Sequence, residues 1–253
     1  MTYNIHRWAG ADQRLDIERL AGVIRAAGAD VVALNEVLHP VTTGLKVHKP
    51  LDELADCLGM TYAFGPSGWI DYAPGWQGAV GNALLSRYPL TDVTNRWLPS
   101  RTASKQRSLL AAALSTGQGC GLVMYVTHLD HAWEGTRLCQ IKGALQMISQ
   151  AGAPHFLAGD FNTPGFLGPR SRRLLPPVLR RLRKAGYEDA FMAVGTGNGR
   201  TFPASAPLVR FDFLFLPVCW AGGLRSASIV DHSTISHASD HRPVVIEWGW
   251  PVG

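Results

Sequence analysis

Polar residues interrupt the apolar segments of this chain at a few particular places. Glu36 follows DVVALN, His128 follows LVMYVT, Asp160 and Asn162 follow HFLAG, Asp212 lies within VRFDFLFL, and Asp240 and His241 come just before PVVIEW. A carboxylate flanked by Phe211, Phe213, Leu214 and Phe215 is costly to desolvate alone. Asp212 therefore needs a partner, and a strand-end histidine or a metal would supply one. Carboxylates, imidazoles and side-chain amides at strand ends are the types used to move protons and to hold a hard metal through oxygen. Taken singly, each has a bland reading. Glu36 is then a surface acid, Asn4, Asn82 and Asn162 are turn or cap residues, His128 is a satisfied structural histidine, Arg107 is a surface cation, and Asp240 with His241 forms a turn ahead of Pro243.

Such residues need a frame that brings strand ends together. Runs rich in branched or aromatic residues occupy Asp30 to Leu34, Gly81 to Leu85, Leu109 to Leu114, Leu122 to Thr127, His155 to Ala158, Phe211 to Leu216 and Pro243 to Trp248. They read as strands, several of them apolar on both faces and so buried on both. Ile17, Leu20, Ile24 and Ala27 recur at helical spacing, with Asp12 upstream and Gly28 just after, and Leu138, Ile141, Leu145 and Ile148 repeat the pattern. Many strands with few helices between them predict stacked sheets covered by helices. No repeat, low-complexity tract or linker interrupts the chain, so one domain over 1–253 is expected.

Composition narrows the class. Charged residues make up 17% of the 253, below the roughly 25% of an average soluble domain, which excludes disorder and coiled coil in favour of a body with much buried sheet. No apolar run reaches the roughly 18 residues of a membrane helix. MTYNIHRWAG has none of the layout of a secretory leader, and Cys57, Cys120, Cys139 and Cys219 lie far apart without a CxxC pair. Free, buried thiols and a cytoplasmic location are expected. The formal charge of +5 is uneven. Residues 170–184 carry seven of the 24 cations and no acid, which leaves 17 cations against 19 acids elsewhere, a balance of −2.

TYNIH (2–6), ALNEV (33–37), GNALLSRYPL (81–90), QRSLLAA (106–112), THLDH (127–131), GDFNTP (159–164), RFDFLF (210–215) and SDHRPV (239–244) follow one another in order. This set resembles the endonuclease/exonuclease/phosphatase superfamily, which includes pancreatic-deoxyribonuclease-like nucleases, abasic-site endonucleases, neutral sphingomyelinases and inositol polyphosphate 5-phosphatases. The resemblance implies a four-layer α/β sandwich, two packed mixed sheets flanked by helices, and Mg²⁺- or Mn²⁺-dependent phosphoester hydrolysis by a monomer. It implies that Glu36 is the principal metal ligand, with Asn4 beside it and Asp240 in or near the metal shell. Asp160 would orient or deprotonate the attacking water, and Asn162 would hold the phosphate or that water. His241 would contact a phosphate oxygen while Asp212 orients and charges it, and His128 and Arg107 would complete the phosphate clamp. Two departures stand out: Asn35 replaces the usual Gln before the metal-binding glutamate, and only Met1 and Thr2 precede Tyr3, so a late start or a trimmed edge strand is expected.

Substrate choice would then rest on loops. The Gly/Pro-rich stretch 65–81, read as a loop, carries Trp69, Tyr72 and Trp76, while Trp8 and Trp133 adjoin the motifs. These rings could stack on bases or sugars, meet a lipid interface, or simply anchor loops. The strip 170–184 could follow a nucleic-acid backbone or be an ordinary solvated helix face. A phosphoester substrate is expected, a nucleic acid ahead of a phospholipid or small phosphoester. A noncatalytic binding protein of the same fold is the rival, disfavoured by retention of the whole polar set. No stable membrane insertion is expected.

Overall fold

The computed structural model describes residues 1–10, 12–72, 75–100, 106–117, 121–148, 154–165, 175–231 and 235–250. Two mixed sheets face each other. The first is built from β1 (Thr2–Asn4), β2 (Val31–Leu38), β3 (Val41–Thr43), β4 (Lys46–His48), β5 (Thr61–Tyr72), β6 (Trp76–Ser86), β13 (Leu224–Ile229) and β14 (Val244–Trp248). Its order is β13-β14-β1-β2-β6-β3-β4, with β5 also on β6, and only β1 and β2 run parallel. The second contains β7 (Leu90–Trp97), β8 (Ser108–Leu114), β9 (Leu122–His128), β10 (His155–Gly165), β11 (Tyr187–Asp189) and β12 (Arg210–Pro217). Its order is β11-β12-β10-β9-β8-β7, with β9 and β10 parallel.

Helices cover the outer faces. α1 (Ile17–Ala27) and α2 (Pro50–Leu58) lie on the first sheet, where Leu20, Ile24, Leu51 and Leu54 pack with Val32, Leu34 and Leu38. α3 (Glu134–Ile148) and α4 (Pro177–Lys184) lie on the second, with Ile141, Leu145, Val178 and Leu182 against Leu157, Phe161 and Phe213. α5 (Ala190–Val194) and α6 (Ile235–Ala238) are short. Between the sheets lies a third apolar layer of mainly small and branched residues, including Ala33, Leu84, Ala112, Val126, Ala158 and Leu214. The alternation along β2 explains the layering: Val32 and Leu34 face the helices, whereas Ala33 faces the other sheet. The expected α/β sandwich of two mixed sheets flanked by helices is present.

Local signals were partly displaced. The cap of α1 is Asp16, whose side chain accepts from the Arg19 amide at 2.9 Å, rather than the more distant Asp12, and Gly28 ends the helix at φ 61. Residues 65–81 form most of the β5–β6 hairpin instead of a loop, because the ladder from Thr61↔Ser86 to Tyr72↔Trp76 continues through the Gly/Pro positions with one bulge between Pro66 and Gly68. Cys57, Cys139 and Cys219 are free but exposed, correcting the expectation of burial: Cys57 and Cys139 lie on the solvent faces of α2 and α3, and Cys219 on the short helical turn after β12. Cys120 lies outside the described residues. So do residues 170–174 of the basic strip; its remainder buries Val178, Leu179 and Leu182 on α4 and exposes Arg180, Arg181, Arg183 and Lys184. Among the described residues no helix is long and apolar enough to cross a membrane.

Gly159 is required by the frame. It sits on β10 at φ 143, and a Cβ there would lie 1.8 Å from the Thr127 carbonyl oxygen of β9 and 3.2 Å from Asn35 Oδ1. Gly159→Ala should therefore lower the unfolding free energy by about 3 kcal/mol or more, as overpacking at a backbone contact does, in a urea titration; a shift below about 1 kcal/mol would show that the two strands can part there without cost.

Candidate active site

Strand register assembles the polar residues. In the first sheet Asn4 pairs with Asn35 across parallel β1 and β2. In the second, His128, Asp160 and Asp212 lie side by side across β9, β10 and β12. Each ladder then loses regularity. On β2 the register shifts between Leu34 and Val37, with Glu36 at φ 55; on β10 it shifts between Asp160 and Gly165, with Asn162 at φ 48. These irregularities turn Glu36 and Asn162 away from the alternation of their strands and toward the common edge.

Buried amides join the two sheets directly beneath that edge. Asn35 Nδ2 donates to Asn82 Oδ1 at 2.8 Å and to the Thr127 carbonyl at 3.0 Å, while its Oδ1 accepts from the Asp160 amide at 2.8 Å. Asn82 donates to the Ser108 carbonyl at 3.2 Å. Asn35 thus makes from the first sheet the bonds that locate Asp160 in the second. Asn82 belongs to this support rather than to the reacting surface.

Around Asp160 the side chains close up. Asn4 Nδ2 donates to Asp160 Oδ2 at 3.0 Å and lies 3.4 Å from Glu36 Oε1. The Asn162 amide donates to Asp160 Oδ1 at 2.8 Å. His128 Nε2 and His241 Nε2 stand 3.6 and 3.7 Å from Asp160 Oδ2, and His241 Nδ1 donates to Asp212 Oδ2 at 2.8 Å. Ser239 Oγ donates to the Asn4 carbonyl at 2.6 Å and accepts from the His241 amide at 3.2 Å, fixing the 239–241 turn to the end of β1. Asp240 enters from that turn, its Oδ1 3.9 Å from His6 Nδ1. Arg107 is half-buried within electrostatic reach of Glu36, Asp160 and Asp130, and its buried Nε–H has no partner among the described residues. Asn4, Glu36, His128, Asp160, Asn162, Asp212, Asp240, His241 and Arg107 therefore converge on one region.

The electrostatics divides these groups by role. Burial raises Asp160, against the His241 cation that lowers it, and leaves it at about 7. Burial opposes charge on His241, yet Asp212 raises it to about 10, so it is an imidazolium at neutral pH. Burial and the neighbouring Arg107 push His128 well below its ordinary value. His128 is neutral, and its Nε2 takes the Asn162 amide hydrogen at 2.9 Å, which puts the ring proton on Nδ1. Contact between His128 Nε2 and a phosphate oxygen therefore requires that bond to be exchanged. Burial would raise Glu36, but nearby cations lower it, His128 in its charged form and the Arg7 guanidinium foremost. Since His128 is neutral, the Arg7 guanidinium on Glu36 Oε2 is the charge that holds it ionised.

Two sets of donors are candidates for a metal. Glu36 and Asp240 carry carboxylate oxygens of the kind a hard divalent ion takes, whereas Asn4 turns Nδ2 to Glu36 and Asp160 and its Oδ1 accepts from the His6 amide, so Asn4 would offer its oxygen only on exchanging those bonds. Asp160, Asp212 and His241 place ligand atoms within 4.8 Å of one another, and Asp212 Oδ1 is buried without a hydrogen-bond partner. In that second set His241 Nδ1 is already engaged by Asp212.

Sequence reasoning missed Arg7, which grips Glu36, because its placement depends on a left-handed backbone at φ 58 that no residue type announces. Phe202 was missed too; its ring lies 4.9 Å from that of His241. The aromatic candidates separate: Trp8 is buried with its indole donating to the Leu38 carbonyl at 2.6 Å, whereas Trp69 and Trp133 are exposed. The side chain of Tyr72 lies outside the described residues.

A family profile described as "Endonuclease/Exonuclease/phosphatase family" matches residues 1–241. "Uncharacterized protein YbhP" of Escherichia coli (strain K12) is 27% identical over 256 residues, covering 98% of this chain and 94% of the relative. Among solved structures, the endonuclease/exonuclease/phosphatase from Beutenbergia cavernae DSM 12333 superposes with a TM-score of 0.74 at 24% identity, over 100% of this chain and 72% of that one. The mannosyl-6-phosphatase Bt3783 of Bacteroides thetaiotaomicron VPI-5482 gives 0.71 at 16% identity, over 98% of each.

Two buried groups bind protons more tightly when folded, which sets a pH dependence of stability. His241 rises from 6.5 to about 10, so its contribution is whole below 6.5 and is lost as pH climbs through 10; Asp160, raised from 3.8 to about 7, acts with the same sign at lower pH. In chelator, unfolding free energy should fall between pH 7 and 10 by up to about 1.4 kcal/mol per pH unit for the His241 proton. His241→Asn should flatten that slope in urea titrations, and an equal slope in both proteins would disprove the charged His241–Asp212 pair.

Proposed function

The chain belongs to the endonuclease/exonuclease/phosphatase family, and from that premise we propose that it is a divalent-metal-dependent phosphoesterase acting by attack of an activated water. The observation that carries the reading is the buried cluster in which Asp160, its carboxyl raised by burial, lies between His128 and the His241 ring that Asp212 holds. A base tuned near the working pH is effective in proton abstraction, typically contributing about 10² to 10⁴ in rate. Asp160 Oδ2 would accept the water proton, with the Asn162 amide and Asn4 Nδ2 holding the carboxylate in place. His241 would donate Nε2–H to a phosphoryl oxygen, its charge maintained by Asp212. The buried, unpartnered Nε–H of Arg107 would serve as a second donor to phosphate.

Asn4, Glu36 and Asp240 would hold Mg²⁺ or Mn²⁺, because their oxygens suit a hard ion and Glu36 is held ionised. The ion, when bound, supplies Lewis-acid stabilisation of the charge that builds on the phosphate and the leaving oxygen.

For substrate, exposed Trp69 and Trp133 and the cations of α4 support a nucleic-acid phosphodiester. A specific observation also favours a small phosphomonoester. Bt3783, a mannosyl-6-phosphatase, shares this fold over 98% of each chain, without a large insertion in either relative to the other.

Purified protein with Mn²⁺ should hydrolyse a chromogenic phosphodiester or phosphomonoester and lose that activity in excess chelator. Asp160→Asn should lower kcat by at least about 10²-fold with little change in KM, and retention of the full rate by Asp160→Asn would refute the assignment. A panel of plasmid, single-stranded DNA, RNA, sphingomyelin, inositol phosphates and sugar phosphates separates the substrate classes. If α4 follows nucleic acid, reversing Arg180, Arg181 and Arg183 to Glu flattens the salt dependence of DNA binding; an unchanged slope assigns the strip to a solvated face.

A further inference from the structure

The turn after β1 is unusual in its backbone. His6, Arg7 and Trp8 have φ of 46, 58 and 69, three successive non-glycine residues in the left-handed region. Such a run persists only when its surroundings determine it. Several contacts do so: Asn4 Oδ1 accepts from the His6 amide at 3.0 Å, the Trp8 and Ala9 amides close tight turns on Ile5 and His6, and the buried Trp8 indole is tied to the Leu38 carbonyl. The tie reaches the end of β2, the strand that carries Glu36.

The result of this geometry is the position of Arg7. Its Nε donates to Glu36 Oε2 at 2.7 Å and a terminal nitrogen lies 2.6 Å from the same oxygen. Glu36 Oε1 faces Asn4 Nδ2 at 3.4 Å. Both oxygens of the carboxylate therefore already face N–H donors, and one of them carries a full cation. A divalent ion taken up by Glu36 would share the carboxylate with this guanidinium, and two cations held on one partly buried carboxylate repel each other. The Arg7 side chain is about a quarter exposed, so it is able to turn into solvent while Trp8 and Asn4 stay buried.

We propose that Arg7 is the resident cation of the Glu36 seat and competes with the divalent metal for it, so that this arginine sets the metal affinity of the site. Arg7 is thus a positioning residue acting through Glu36. It keeps the carboxylate ionised and oriented before the metal arrives, and its release is the cost of metal binding. The proposal rests on the reading of Glu36 as a metal ligand.

The test is titration of Mn²⁺ into the full chain by calorimetry at low ionic strength, without substrate. Arg7→Gln should bind Mn²⁺ at least about tenfold more tightly than the native protein, and Arg7→Lys, which keeps the charge but loses the planar fork, should tighten it by a smaller factor. Arg14→Gln, an exposed change that removes the same charge elsewhere, should leave the affinity within about twofold. If Arg7→Gln does not fold, Arg7→Lys alone decides. Native or weaker affinity in the folded Arg7 variants overturns the proposal. Glu36→Gln separates the premise from the inference. If it binds Mn²⁺ as the native protein does, the metal seat is elsewhere and both fall; if it loses Mn²⁺ while the Arg7 variants bind as native, only the competition falls.

Discussion

The facing edges of the two sheets are held at one spacing by a buried side-chain amide. Asn35 reaches from β2 to the Thr127 carbonyl and the Asp160 amide, and Asn82 extends the same network to Ser108. Apolar packing between sheets is non-directional and tolerates sliding, whereas these bonds have directions and buried partners that are expensive to leave unpaired. The register that aligns His128, Asp160 and Asp212 across β9, β10 and β12 belongs to the second sheet, while Asn4 and Glu36 belong to the first. Beside this bridge, the Asn4–Asp160 bond is a second directional link between the two halves of the site. Gly159, whose missing side chain admits the Thr127 carbonyl and Asn35, is the steric counterpart of that bridge.

Charge is distributed across the site in a matching way. One side joins Arg7 to Glu36 and the other joins His241 to Asp212, so each of these two carboxylates has its own cation. Asp160 lies between them, with neutral His128 and the His241 cation both near its Oδ2. Burial lifts Asp160 toward neutrality while the charged members are stabilised by their partners, which is how carboxylates in one cleft come to carry different roles.

Much of this was legible in the chain because strand ends are marked by where apolar runs stop. Asp212 inside RFDFLF and Asp160 after HFLAG announce themselves through the cost of burying a carboxylate, and both strands form as the runs indicate. The many strands with few helices between them also implied helices on the outside. The hairpin of β5 and β6 was obscured because Gly and Pro usually mark loops, yet a bulge and close strand contacts accommodate them here. Arg7 was hidden for a different reason. Its role depends on three left-handed residues, and backbone sign is invisible in a sequence when none of the residues is glycine. The exposure of Cys57, Cys139 and Cys219 shows in turn that residue type alone does not decide burial on a helix; the face does.

The irregular backbone falls at the chemistry and in few other places. Of the non-glycine residues at positive φ, His6, Arg7, Glu36 and Asn162 are at the site. The adjoining strands keep their ladders, and the departures begin where Asn35 and Asp160 have just been fixed by the inter-sheet bonds. Strain of this kind is unfavourable by about 1–3 kcal/mol per residue, so it survives only next to something rigid. The amide bridge and the buried Trp8 supply that rigidity on the two sides of Glu36. Seen this way, the asparagine at position 35 is more than a shorter version of a glutamine. Its bonds to the Thr127 carbonyl and the Asp160 amide fix how closely the sheets approach, and therefore how far the Asp160 carboxylate stands from Glu36 and Asn4.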